Sequence, residues 1–149
     1  MNTLGKMKRG LETSNGEDDF SGEFGEMLIE ASAAKAAWVQ QLGRMLDEAP
    51  TPEQRESLRQ IRMDDAKHLR LLSDMLSGYS GNASARIQAE QTVAASSPAP
   101  GPQKAAALKL RSAEFMKRLY LCSPTDNGKD MLLEILLDDT NNAIRLSMM

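Results

Sequence analysis

The sequence predicts an all-α protein built as a four-helix bundle, and three observations support this fold class. Leu, Ala and Met supply most of the apolar mass while aromatic residues make up only 4% of the 149 residues, a balance that favours helices over sheet. Apolar residues recur with the 3,4 spacing of amphipathic helices. The chain also matches itself when it is displaced by 74 residues, so that Lys35 meets Lys109, which indicates a duplicated helical hairpin.

The first helix is expected near residues 20–48, after a polar and flexible tail at residues 1–18. Its apolar side chains follow the helical spacing, and they are Phe24, Met27, Leu28, Ala31, Ala34, Trp38, Leu42, Met45 and Leu46. Trp38 is interpreted as a core residue rather than as a contact to a cofactor. Pro50 then ends the helix, because proline has no backbone N–H to donate.

The second helix is expected near residues 52–77. Thr51 is a suitable N-cap, Pro52 suits the first helical position, and Glu53 is an acidic residue in the first turn. The side chains expected on its buried face are Leu58, Ile61, Leu69, Leu72 and Met75. The sequence SGYSG then ends this helix and the first hairpin, residues 19–78.

Residues 79–102 are poor in large apolar side chains and rich in Ala, Ser, Pro and Gly, so we interpret them as a linker. A linker of this length can run the full length of a bundle, whereas the short turn within each hairpin can only join antiparallel neighbours. Two further helices are expected near residues 103–122 and 128–147, within a second hairpin at 103–149. The helical bundle as a whole is expected to span residues 19–149.

The repeat consists of identical residues 74 positions apart in the two hairpins. The nine identities are Lys35/Lys109, Arg44/Arg118, Pro50/Pro124, Thr51/Thr125, Leu58/Leu132, Ile61/Ile135, Asp64/Asp138, Asp65/Asp139 and Leu72/Leu146. They fall within about forty positions without a gap, where about two or three would be expected by chance. Two equivalent hairpins joined by a long crossover would form a four-helix bundle.

Two phrases within the repeat carry a resemblance to a known family. They are IRMDDAKHLRLL at residues 61–72 and ILLDDTNNAIRL at residues 135–146. Together with APTPEQRESLRQ, whose last residues lead into it, the first phrase resembles the second-helix segment of rubrerythrin-like proteins of the ferritin-like superfamily. Together with AEFMKRLYLCSPTDNGKDMLLE before it, the second phrase resembles their second hairpin. The resemblance covers about residues 24–149 and implies a ferritin-like four-helix bundle made of two repeated hairpins.

The resemblance also implies where a di-iron site would lie. Such a site takes one Glu from each of two helices and a Glu-x-x-His pair from each of the other two, six ligands in all. The matching positions in this chain are Lys35, Asp65, His68, Lys109, Asp139 and Asn142. Lysines replace both single glutamates, and the amide of Asn142 is a poor ligand for a transition metal.

The charges at these positions indicate that no metal is needed. The family site carries four carboxylates, which two cations balance. Here Lys35 and Lys109 contribute two positive charges, and Asp65 and Asp139 contribute two negative charges, so the sum is zero. We therefore expect the lysines to pair with the aspartates and expect no metal ligand, catalytic residue or cofactor-binding residue at these six vestigial positions.

The resulting expectation is a non-catalytic structural or interaction module that forms a homodimer and is able to bind a protein partner. One alternative is a rubrerythrin-type, metal-dependent oxidase or peroxidase, or an iron-handling protein, with a weak metal site at Asp65 and His68. Another is an unrelated helical bundle in which these residues are ordinary polar side chains. Asp64 and Asp138 are interpreted as surface charges or as partners on a helix face.

Composition excludes several other classes. The net charge is −3 and no basic stripe is present, so we expect no nucleic-acid partner. No stretch of about eighteen apolar residues occurs, so we expect a cytoplasmic protein that does not cross a membrane. Cys122 is the single cysteine, which excludes an internal disulfide and a Cys-based zinc site, and we interpret it as a structural thiol.

Overall fold

The computed structural model describes the backbone of residues 15–77 and 83–149, and the side chains of residues 22–77 and 83–149. Within these ranges the chain forms five helices and no strand, which confirms the all-α fold class. The helices are α1 (Asn15–Asp47), α2 (Pro52–Leu76), α3 (Ala83–Ser96), α4 (Pro102–Cys122) and α5 (Asp126–Ser147). None of them combines the length and the apolar character that crossing a lipid bilayer requires.

Helices α2 and α5 begin with equivalent caps. Thr51 Oγ1 accepts a hydrogen bond from the Gln54 N–H at 3.1 Å, and Thr125 Oγ1 accepts one from the Gly128 N–H at 3.0 Å. Each bond satisfies a backbone donor that has no partner inside the helix. A Cβ at Gly128 would lie 2.7 Å from Ser123 Oγ, so the tight entry to α5 favours a residue without a side chain.

The helices pack as two pairs. Helix α1 lies against α2 and α4 lies against α5, and contacts of α1 with α4 and of α2 with α5 join the two pairs. Two apolar clusters form the core. The first contains Phe24, Leu28, Leu72, Leu76, Met116, Leu119, Leu132 and Ile135, and the second contains Leu42, Met45, Leu58, Ile61, Ala105, Ala106 and Leu146.

A buried polar layer separates these two clusters along every helix of the two pairs. Each helix contributes one charged residue that is fully buried, and they are Lys35, Asp65, Lys109 and Asp139. In α2, for example, Asp65 lies between Ile61 of the second cluster and Leu72 of the first. Apolar packing on both sides therefore shields the layer from water.

Residues 79–102, which were interpreted as a linker, contain helix α3, and no helix was expected there. Helix α3 packs on α1, where Gln41 Nε2 and Arg44 Nη1 donate to the carbonyls of Ala94 and Ala95 at 2.7 Å and 2.6 Å. Ala94 is its one buried residue. The apolar periodicity that reveals the other helices is therefore missing from α3, although Ala, Gln, Glu and Arg are good helix formers.

Other differences concern bounds and individual side chains. Residues 1–14 of the expected tail lie outside the described residues, and residues 15–18 belong to α1. Ser77, the first residue of the SGYSG sequence, is the C-cap of α2, and the other four residues of that sequence belong to 78–82, which also lie outside the described residues. Ala34 is exposed on α1, and Leu69 and Met75 are only half-buried on α2. The buried residues of α2 include Asp65 and His68, which are not among the apolar side chains expected on that face.

Candidate functional site: the buried Lys–Asp cluster

The centre of the polar layer is a cluster of two ammonium groups and two carboxylates. Lys109 Nζ lies 2.5 Å from each of the two oxygens of Asp65, and Lys35 Nζ lies 3.1 Å from Asp65 Oδ1. Lys35 also forms a short hydrogen bond with Asp139 Oδ1, and Lys109 Nζ lies 3.4 Å from the same oxygen. Each lysine thus contacts both aspartates, and the four formal charges cancel.

Burial and the neighbouring charges act in opposite directions on the protonation of these groups. Burial alone would raise the pKa of Asp65, but Lys35 and Lys109 outweigh it and hold that pKa well below the ordinary value of 3.8. Burial would lower the pKa of Lys35, but Asp65 and Asp139 raise it above the usual value. The pKa of Lys109 is lowered, because burial and the charge of Lys35 together exceed the attraction of the aspartates.

A second pair of polar contacts surrounds the cluster. His68 Nε2 lies 2.8 Å from Asp138 Oδ2, and Asn142 Nδ2 donates to Asp64 Oδ2 at 3.1 Å. Both contacts cross from one hairpin to the other. They are equivalent in the repeat, because His68 and Asn142 are 74 positions apart and so are Asp64 and Asp138. Asp64 and Asp138 are therefore partners on helix faces, and both remain partly exposed.

Asp138 also joins the cluster to the protein surface. Lys67 Nζ lies 3.1 Å from Asp138 Oδ2 and 2.9 Å from Glu134 Oε2. Burial would raise the pKa of Asp138, but the hydrogen bonds from His68 and Lys67 lower it below its ordinary value. The ionised carboxylate can only accept hydrogen bonds, so Nε2 is the protonated nitrogen that His68 presents to it.

The sequence did not single out two other contacts of the cluster. Ser112 Oγ donates to Asp139 Oδ2 at 2.8 Å, and the Trp38 ring centroid lies 5.0 Å from Lys109 Nζ. Trp38 is half-buried beside the second apolar cluster. Each of these residues follows a buried lysine by three positions, a spacing that places two side chains on the same face of a helix. That spacing is the sequence feature from which a position beside the cluster could have been predicted for both residues.

The six matched positions do not fit a di-metal centre. Asp65, His68 and Asp139 each offer one ligand atom, and these atoms lie within 4.8 Å of one another. The ammonium groups of Lys35 and Lys109 already bind the aspartate oxygens. A divalent ion beside two ammonium groups would meet repulsion of several kcal/mol at an effective dielectric constant of about 20.

The chain was also compared with known proteins. No family model, curated protein or solved structure matches it.

Proposed function

We propose that this chain is a ferritin-like four-helix bundle without a di-metal site, which acts as a non-catalytic structural or interaction module. One observation carries the proposal. Lys35 and Lys109 place their ammonium groups between Asp65 and Asp139, at the position where the resemblance would put two cations. The two ammonium groups then supply the positive charge that metal ions would supply, and the bundle needs no cofactor to balance its buried carboxylates.

The ferritin-like part of the proposal is supported by equivalence between the hairpins. Buried residues of α2 recur 74 positions later in α5, and the recurring pairs are Leu58/Leu132, Ile61/Ile135, Asp65/Asp139, His68/Asn142 and Leu72/Leu146. The caps at Thr51 and Thr125 recur with the same displacement. Such equivalence is expected if the two hairpins descend from one duplicated unit.

The non-catalytic part of the proposal is supported by burial. The side chains of Lys35, Asp65, Lys109 and Asp139 have no solvent exposure, and the charged atoms of each contact an opposite charge. A general acid, base or nucleophile must reach its substrate. In this structure no solvent reaches any of the four side chains.

Metal analysis of the wild-type chain tests the proposal. Protein expressed with added iron and purified without chelator is expected to contain far less than one metal ion per chain by mass spectrometry. A chelator is expected to leave its melting temperature unchanged, because no buried metal contributes to folding. About two irons per chain, with the visible absorption of an oxo-bridged pair, would overturn the proposal.

A second candidate, an iron-handling protein with one weak metal site, is favoured by one feature of His68. Its Nδ1 lies 3.5 Å from Asp65 Oδ1 and 3.8 Å from Asp139 Oδ1, and it has no well-aligned hydrogen-bond partner among the described residues. Adding Fe²⁺ or Mn²⁺ to wild-type protein and to His68→Gln distinguishes the candidates. A rise in melting temperature that the wild type shows and His68→Gln lacks would establish the weak site.

A further inference from the structure

Helices α4 and α5 carry an apolar outer surface that the described part of the chain leaves exposed. Five large side chains form it, and they are Leu110, Leu121, Leu133, Leu137 and Ile144, exposed between 38% and 64%. On α5, Glu134 and Asp138 face Lys67 of α2. Leu133 and Leu137 precede these acidic residues by one position each, which turns them away from α2 and toward the side where α4 packs.

The first hairpin does not carry such a surface. The counterparts of the five residues, 74 positions earlier, are Ala36, Asp47, Arg59, Met63 and Arg70. Three are charged, Ala36 is fully buried, and Met63 alone is a large apolar side chain that is exposed. The helical fold therefore does not itself require large apolar side chains at four of these five positions, and their presence on the second hairpin points to a contact outside the described part of the chain.

The exposed edge of α4 has a pattern that is complementary to itself. Leu110, Glu114, Lys117 and Leu121 follow one another at spacings of four, three and four residues, so they lie on one face of the helix. All four are exposed. Neither Glu114 nor Lys117 forms an ion pair with any residue for which the structure gives a side chain. In the reverse chain direction the order is apolar, basic, acidic and apolar. A second, antiparallel copy of the face would therefore place an acidic residue opposite a basic one.

We propose that this face binds a second copy of the chain, with α4 antiparallel to α4 of the partner about a twofold axis between Phe115 and Met116. In this arrangement Leu110 packs against the partner's Leu121, and Glu114 pairs with the partner's Lys117. The twofold axis repeats each contact, as in any isologous interface. A parallel arrangement in register would instead place Glu114 against Glu114 and Lys117 against Lys117, so the charges select the antiparallel orientation.

This inference names a partner for the proposed interaction module and rests on the proposed function in that respect alone. Its readout is the association state, whereas the readout of the proposed function is metal content. A dimer that contains metal would therefore show that the proposed function has failed. A monomer without metal would show that the proposed interface has failed.

Charge reversal tests the interface. Sedimentation velocity at tens of micromolar is expected to show a dimer for the wild type. Glu114→Lys places two lysines opposite each other and Lys117→Glu places two glutamates opposite each other, so each variant alone should dimerise at least about tenfold more weakly. An equimolar mixture of the two variants should regain the wild-type affinity, because every pair across a mixed interface is again of opposite charge.

Controls separate this interface from folding and from net charge. Glu53→Lys and Lys104→Glu make the same changes of charge at exposed positions outside the face, and they should leave the dimer intact. Circular dichroism checks that each variant keeps its helices. A monomeric wild type would overturn the inference. Single variants that dimerise like the wild type would also overturn it, and so would a mixture that fails to restore association.

Discussion

At the scale of single residues, the buried cluster is balanced as a set and costly to disturb in part. Taking a charge out of water carries a large desolvation cost, which only a well-placed opposite charge offsets. Lys35, Lys109, Asp65 and Asp139 meet this condition together, because each contacts both residues of opposite charge. Removing one member leaves a net charge in a site without solvent.

Substitutions in the cluster should therefore have opposite effects singly and together. Lys35→Met is expected to lower the free energy of unfolding by about 3–5 kcal/mol, measured by urea denaturation, because it leaves a buried negative charge unbalanced. Replacing both lysines by Met and both aspartates by Leu should be neutral or stabilising, because no charge then remains buried. Lys67→Met is the control, and its exposed ion pairs should contribute at most about 1 kcal/mol. Equal losses for Lys35→Met and Lys67→Met would contradict this account.

The lowered pKa of Asp65 makes its contribution to stability depend on pH. The folded protein holds this carboxyl ionised below its ordinary pKa of 3.8, so the unfolded chain takes up a proton first as the pH falls. The contribution is complete above about pH 5 and is lost at lower pH, by up to about 1.4 kcal/mol per pH unit.

Wild type and Asp65→Asn should accordingly differ most near neutral pH. The difference between their unfolding free energies should shrink as the pH falls from about 5 to about 2.5. Urea titrations at several pH values measure this difference. Asp138→Asn is a useful comparison, because the pKa of that half-exposed carboxyl is also lowered but the group lies outside the central cluster. A difference between wild type and Asp65→Asn that does not change with pH would contradict this assignment.

At the scale of elements, the sequence predicted four of the five helices that the structure describes, and each predicted end lies within five residues of the observed one. Proline, the Thr caps and apolar spacing define the starts of α2 and α5, and these are local signals that sequence carries directly. Helix α3 was missed because it buries one small residue against α1 and has no apolar stripe. Its position depends on contacts with α1, which are tertiary and leave no periodic pattern.

The two Thr caps provide an element-scale prediction. Thr51→Ala and Thr125→Ala should each lower the free energy of unfolding by about 1 kcal/mol, because each leaves a backbone N–H of the first turn without its acceptor. Thr92→Ala is the matched control, since the Thr92 hydroxyl donates to a carbonyl within α3 and caps nothing. Thermal or urea unfolding of the three variants makes the comparison, and a Thr92→Ala loss as large as the other two would count against it.

The site was predictable to a similar extent. The charge count at the repeat positions led to the pairing of the lysines with the aspartates, and the structure contains those ion pairs. The pairs His68–Asp138 and Asn142–Asp64 were not predicted, because they depend on how far the helices rotate about their axes. The contact of Ser112 with Asp139 depends on the same packing.

At the scale of the whole molecule, the polar layer sets how the two hairpins meet. Apolar clusters on either side could tolerate some sliding of helices, but two ammonium groups must reach two carboxylates in a dry interior. A shift of one helix by a turn would separate the charges and leave them unpaired. We infer that the cluster fixes the register of the bundle, the role that buried polar groups serve in other helical assemblies.

In the proposed function the lysines occupy the place of metal ions, and one variant tests this most directly. Lys35→Glu/Lys109→Glu/Asn142→His restores the ligand types of a di-metal site, with four carboxylates and two imidazoles. Isothermal titration with Mn²⁺ or Fe²⁺ should show about two ions bound per chain of this variant and little binding to the wild type. Asn142→His alone is the control, because it keeps both ammonium groups. Equal binding by wild type and variant, or none by either, would contradict the claim.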